Sequence, residues 1–153
     1  MGQDTRKVAA DEHNAPPDVT QVEAALSNIN SVKADLTTAL TAFRTAARMR
    51  PLDYFRFQSS GLTEPGAEEK HLHQAMNALK TAQIRIAETH TRVNTWTETT
   101  PSSLAVIQNV GKVQVAFQNL LVTIRKEPKT KLILAQLRTV LQTVSQTVIQ
   151  KKN

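Results

Sequence analysis

Cysteine is missing from all 153 residues. That excludes disulfides, thiolate metal sites and cysteine nucleophiles. Long apolar runs are missing too, and nothing approaches the roughly 20 apolar residues that a membrane-spanning helix needs. Residues 1–17 (MGQDTRKVAADEHNAPP) have no apolar segment of the kind a secretion signal carries. A cytoplasmic location is the expectation from these two features. Met1-Gly2 opens like a myristoylation site, but Arg6 stands where that motif calls for Ser or Thr. Glycine is scarce, at four residues, and none of it forms a phosphate-cradling loop or a nucleophile elbow. Acids are scarce in one region above all: beyond residue 99 the chain has Glu98 behind it and only Glu127 ahead.

The ingredients of catalysis are equally thin. There are four histidines, His13, His71, His73 and His90. His71 and His73 are two residues apart, so on a helix they point about 200° apart and cannot share one metal. Glu68 and His71 have the Glu-x-x-His spacing of di-iron bundles, but such a site needs the motif twice and further inward glutamates, and no second copy exists. Apart from Glu23 in its opening turns, Asp35 is the only acid of the first helical segment, and it falls off the apolar face. No acid–base pair suggests itself. The expectation is a protein without catalytic activity, metal or cofactor.

What the chain does contain is sustained helical periodicity. Asp18 with Gln21 has capping-box spacing, and an apolar pattern starts at once. Val22, Ile29, Leu36 and Phe43 recur every seven residues, and Ala25, Val32, Ala39 and Ala46 form a second such row. Leu72, Leu79, Ile86 and Val93 repeat the first pattern, and Ala75, Ala82, Thr89 and Trp96 the second. Alanine rows on both segments predict a close antiparallel hairpin. Thr100-Pro101 reads as an N-cap followed by a first-turn proline. Beyond it Val106, Val113 and Leu120 form one row, and Val110, Phe117 and Ile124 the other. Gly111 interrupts this segment at a cost of about 1 kcal/mol relative to alanine, and predicts a close helix crossing. In the last segment Leu134, Leu141 and Val148 form a row, with Ile133, Leu137, Val140 and Val144 filling the apolar face.

The predicted fold is all-α: an antiparallel up-down-up-down four-helix bundle over 18–153 with a disordered tail at 1–17, and helices at about 19–50, 64–99, 102–126 and 129–150. The alternative is a three-helix core with a swapped partner, which makes a homodimer the second assembly to consider. At 1.5 Å per residue the first two helices would be roughly 48–53 Å long and the last two roughly 33–38 Å, so the long hairpin should project by roughly 10–15 Å at one end.

That end carries the stretch Arg48–Phe57, RMRPLDYFRF. It holds three of the six aromatic residues of the chain, Tyr54, Phe55 and Phe57, among Arg48, Arg50 and Arg56. The turn between the last two helices adds Arg125, Lys126, Lys129 and Lys131. Arg48, Arg50, Tyr54, Arg56, Arg125, Lys126, Lys129 and Lys131 are therefore the candidate contacts to a protein partner or an anionic surface, while Leu52, Phe55 and Phe57 are expected to cover the end of the core. The expected role is a non-catalytic protein–protein interaction module: an adaptor, a scaffold subunit or the helical domain of a secreted or viral factor. Peripheral binding to an anionic membrane through the basic tip is the alternative. Nucleic acid ranks below both, because the cations form no stripe along one helix and no reading motif is present.

Overall fold

The structure, a computed structural model, describes residues 18–49 and 70–150. Among them the chain forms four helices and no strand: α1, Val19–Met49; α2, Lys70–Val93; α3, Pro101–Lys126; and α4, Thr130–Gln150. The expected tail at 1–17, the connection at 50–69 with its aromatics, and the end of the chain beyond Gln150 lie outside the described residues.

The four helices pack against each other around one core. The most extensive interface joins α1 and α2; α4 packs on both α1 and α3, and α3 lies less extensively against α2. The seven-residue rows explain this directly. Ala25, Ile29, Val32, Leu36, Ala39, Phe43 and Ala46 of α1 are buried, as are Leu72, Ala75, Leu79, Ala82, Ile86, Thr89 and Val93 of α2. The alanines lack side chains that would hold the helices apart, which is why the α1–α2 interface is the closest-knit of the bundle. Both rows predicted for α3 are buried in full, from Val106 to Ile124. In α4 the centre of the buried face is Ile133, Leu137, Val140 and Val144, and Leu134 and Leu141 are half-buried on its flank.

Helix ends follow local chemistry. The Asp18 backbone N–H donates to Gln21 Oε1 at 2.9 Å, and the Gln21 N–H donates to Asp18 Oδ1 at 2.8 Å, the reciprocal box expected there. Thr100 caps α3 in the same way. Its Oγ1 accepts from the Ser103 N–H at 3.1 Å, and its own N–H donates to Ser103 Oγ at 2.8 Å. Ser103 is buried, so this cap also satisfies a hydroxyl inside the fold.

One helix end differs from expectation. The apolar row carries to Trp96 and the expected helix to residue 99, yet α2 stops at Val93. Three polar groups turn back on its last carbonyls. Asn94 Nδ2 donates to His90 O at 2.7 Å, Thr95 Oγ1 donates to Arg92 O at 2.7 Å, and the Thr95 backbone N–H also donates to Arg92 O at 3.2 Å. Side chains that reach backbone acceptors compete with further helix. Trp96 continues the row outside the helix and remains half-buried against the core.

The early stop shortens α2 at the end next to α3, whereas the end expected to project, at residues 50–69, lies outside the described residues. The buried stripe runs from Ala25 to Ala46 on α1, from Leu72 to Val93 on α2 and from Ser103 to Ile124 on α3, the same length of chain on each. Among the described residues, three helices therefore present equal lengths to the core, and residues 94–99, expected as helix, belong with Thr100 to the connection.

Candidate interaction surface

Five of the eight predicted contacts are described, and all five are exposed. Arg48 lies in the last turn of α1. Arg125 and Lys126 lie in the last turn of α3. Lys129 stands in the connection, and Lys131 in the first turn of α4. Arg50, Tyr54 and Arg56 fall outside the described residues. The connection from α3 to α4 consists of Glu127, Pro128 and Lys129 alone. The Glu127 N–H donates to Thr123 O at 2.7 Å and closes α3.

Helix electrostatics account for only part of this charge. Arg48, Arg125 and Lys126 complement the negative ends of α1 and α3. Lys129 and Lys131 do the opposite, standing at the positive end of α4, whose first turn has no acid. Each such misplaced cation costs a few tenths of a kcal/mol, up to about 1 kcal/mol. The dipole of α4 does not explain why they are there.

A second polar feature, in the seam between α1 and α2, was not recognised from the pattern. Arg85 Nε lies 3.0 Å from Asp35 Oδ2, a contact close enough for strong Coulomb attraction but off line for a hydrogen bond. Asn28 Nδ2 donates to Thr89 Oγ1 and, at 3.4 Å, to Arg85 O. Thr89 Oγ1 in turn donates to Arg85 O at 2.8 Å, the preceding-turn bond expected of a buried threonine. Asp35 is therefore a seam residue, 17% exposed, and not the free outward acid its heptad position suggested. Burial pushes its carboxyl above the ordinary value, and the opposing Arg85 charge and contact do not cancel that effect. The signal was present in the chain: Asn28 and Asp35 are seven residues apart and form a polar row beside the apolar one. These contacts also set α1 and α2 antiparallel, since the early part of α1 meets the late part of α2.

Other features add little chemistry. His73 Nδ1 and Gln136 Oε1 are buried without a hydrogen-bond partner. Among the described residues no group of three or more His, Cys, Asp or Glu side chains could hold a metal ion. A shallow depression between α1 and α2 is lined by Thr37, Thr41, Thr45, His71 and Gln74 among others. Its threonines are partly spoken for, because Thr37 and Thr45 donate to Lys33 O and Thr41 O of their own helix. No described helix is long and apolar enough to cross a membrane.

The outward side of α3 is the less expected surface. Leu104 is 44% exposed, Val115 62% and Val122 39%. They are separated by eleven and seven residues, close to whole numbers of turns, so they lie on one line along the helix, opposite the buried rows. Gly111 falls on the same line. A Cβ built there meets no atom within 4 Å, so the close crossing predicted at this glycine is not a crossing within the fold. Reading α3 for its core rows alone passes over this second stripe.

No protein-family model, curated protein or solved structure matches the chain.

Proposed function

We propose that the four helices alternate in direction, up-down-up-down, and that the bundle is a non-catalytic protein–protein interaction module, an adaptor or scaffold element. The alternation is supported by the antiparallel α1–α2 contacts and by the three-residue connection from α3 to α4, which is too short for anything but a reversal between packed neighbours. It brings Arg48 to the same end as Arg125, Lys126, Lys129 and Lys131. The observation that carries the functional reading is the pair Lys129 and Lys131. They are exposed at the positive end of α4, whose dipole disfavours them. Cations held against a helix dipole are accounted for by an acidic surface that meets them from outside.

The test is affinity capture with the intact chain, repeated after Arg48, Arg125, Lys126, Lys129 and Lys131 are changed to glutamate. Specific partners retained by the natural sequence and lost by a variant of unchanged circular dichroism support the reading. Identical capture by both removes the basic end as the contact.

The same cations favour one other reading, a peripheral contact with an anionic membrane. Co-sedimentation with vesicles containing phosphatidylserine at low salt, abolished by the same five changes, is its expected result. An absence of sedimentation at low salt excludes it.

A further inference from the structure

We propose that the outward face of α3 is a docking ridge for an acidic amphipathic helix of a partner protein, seated along Leu104, Gly111, Val115 and Val122. The inference rests on the interaction reading above and gives it a second, separate surface.

Three observations converge on this face. First, its exposed aliphatics are in register with each other. Leu104, Val115 and Val122 form a line about 27 Å long at the helical rise, the footprint of another helix and not of a small ligand. Second, Gly111 interrupts that line. The glycine weakens α3 relative to alanine, and no neighbour in the fold needs the missing side chain. Its effect is a low point on the ridge where a second backbone can come close. Third, the charge on this helix is of one sign. Helix α3 has Lys112, Arg125 and Lys126 and not a single acid, and Lys126 lies one turn beyond Val122 near the same line. A helix with an apolar stripe and carboxylates on both sides satisfies all three features together.

Charge decides between occupants. A second copy of the chain would set the all-cationic charge of α3 against itself, which like-charge repulsion disfavours. A lipid surface would be served by aromatic or large apolar side chains. The exposed line has two valines and one leucine, and Phe117, the only aromatic of α3, points into the core. The modest apolar area places the contact among weak, reversible interfaces.

The experiment uses the full chain and two synthetic peptides. One is an amphipathic helix with leucine along one face and glutamate on both flanks; the other has lysine in place of each glutamate. The glutamate peptide is expected to bind and to shift the amide NMR signals of Leu104, Gly111, Val115 and Val122, with the lysine peptide silent. Val115→Asp and Lys112→Glu should each weaken binding by about tenfold or more, and Ile84→Asp on the exposed side of α2 should leave it unchanged. Gly111→Ala provides the sharpest separation, with an unfolding midpoint equal to or above that of the natural sequence and weaker binding of the peptide. Equal binding of both peptides, no binding of either, or indifference to Val115→Asp overturns the inference. So does a dimer, or vesicle binding, that Val115→Asp abolishes, since the occupant is then a second copy or lipid. If this face fails while partner capture through the five basic residues persists, the interaction reading stands without it; if capture fails as well, both fall.

Discussion

The hydrogen bond between Asn28 and Thr89 gives a quantitative test of the packed interior. Thr89 is fully buried, and its hydroxyl is held from both sides, accepting from Asn28 Nδ2 and donating to Arg85 O at 2.8 Å. Thr89→Val keeps the shape of the side chain and removes the oxygen. Both of those hydrogen bonds are lost, and Asn28 keeps only its longer bond to Arg85 O at 3.4 Å. The expected destabilisation is about 1 kcal/mol, raised toward about 2 kcal/mol by the partly buried amide left short of an acceptor. Asn28→Leu alone leaves the Thr89 hydroxyl its bond to Arg85 O, so its cost should be smaller, about 0.5–1 kcal/mol. The double variant removes both polar groups together and should cost less than the two single changes added. A coupling of about 1 kcal/mol is expected, as for other residues in direct contact. Urea unfolding followed by circular dichroism measures it. With a slope of about 2 kcal/mol per molar urea, Thr89→Val should lower the midpoint by about 0.5–1 M. Strict additivity in the double variant would refute the bond, and with it the antiparallel α1–α2 register that it marks.

Three further outcomes follow from the same structure. Leu36→Asp and Leu79→Asp each place an unpaired carboxylate in the buried seam and should unfold the domain at neutral pH, visible as loss of the cooperative thermal transition, because the several kcal/mol involved are comparable with the total stability of a domain. Lys129→Glu with Lys131→Glu should raise the unfolding midpoint by an amount matching about 0.5–2 kcal/mol, through relief of the α4 dipole, while weakening any acidic partner; a lower midpoint would show that these cations support the fold. Asp35 sets a pH dependence. Its folded-state pKa lies above the ordinary value of 3.8, so the folded chain binds the proton more tightly than the unfolded one. The stability from this group is fully present below that ordinary value and is lost as the pH rises through the raised pKa. Asp35→Asn should flatten the acid-side slope of stability against pH, and an unchanged slope would assign it to other carboxylates.

The helices and their inward faces were legible because heptad spacing, capping pairs and prolines act within a few residues of one another. The rows from Val106 to Ile124 are buried as read, and the caps at Asp18 and Thr100 close as read. The end of α2 was not legible. The apolar row carries on to Trp96, whereas Asn94 and Thr95 divert the last carbonyls, and periodicity does not weigh one against the other. The outward line on α3 was missed for a different reason. Leu104, Val115 and Val122 have valid helical spacing, but an apolar residue does not reveal which side of its helix faces water until the neighbouring helices are in place. The basic cluster of Arg125, Lys126, Lys129 and Lys131 was legible, since those residues are close together along the chain. The meeting of that cluster with Arg48 depends on helix direction.

By itself the sequence determined that this chain would be helical, most of the side chains that would be buried along each helix, and where cations would outnumber acids. Those properties follow from local geometry and composition. Tertiary structure alone decided how the helices pair. Rows that repeat every seven residues bury equally well if one helix slides past its neighbour by a full repeat, so the apolar pattern leaves the register degenerate. Asn28 against Thr89, and Asp35 against Arg85, break that degeneracy, because a slip would leave each of these groups in the seam without its partner. The same packing exposed one face of α3 to solvent and turned Gly111 from an expected internal crossing into an open point on the surface.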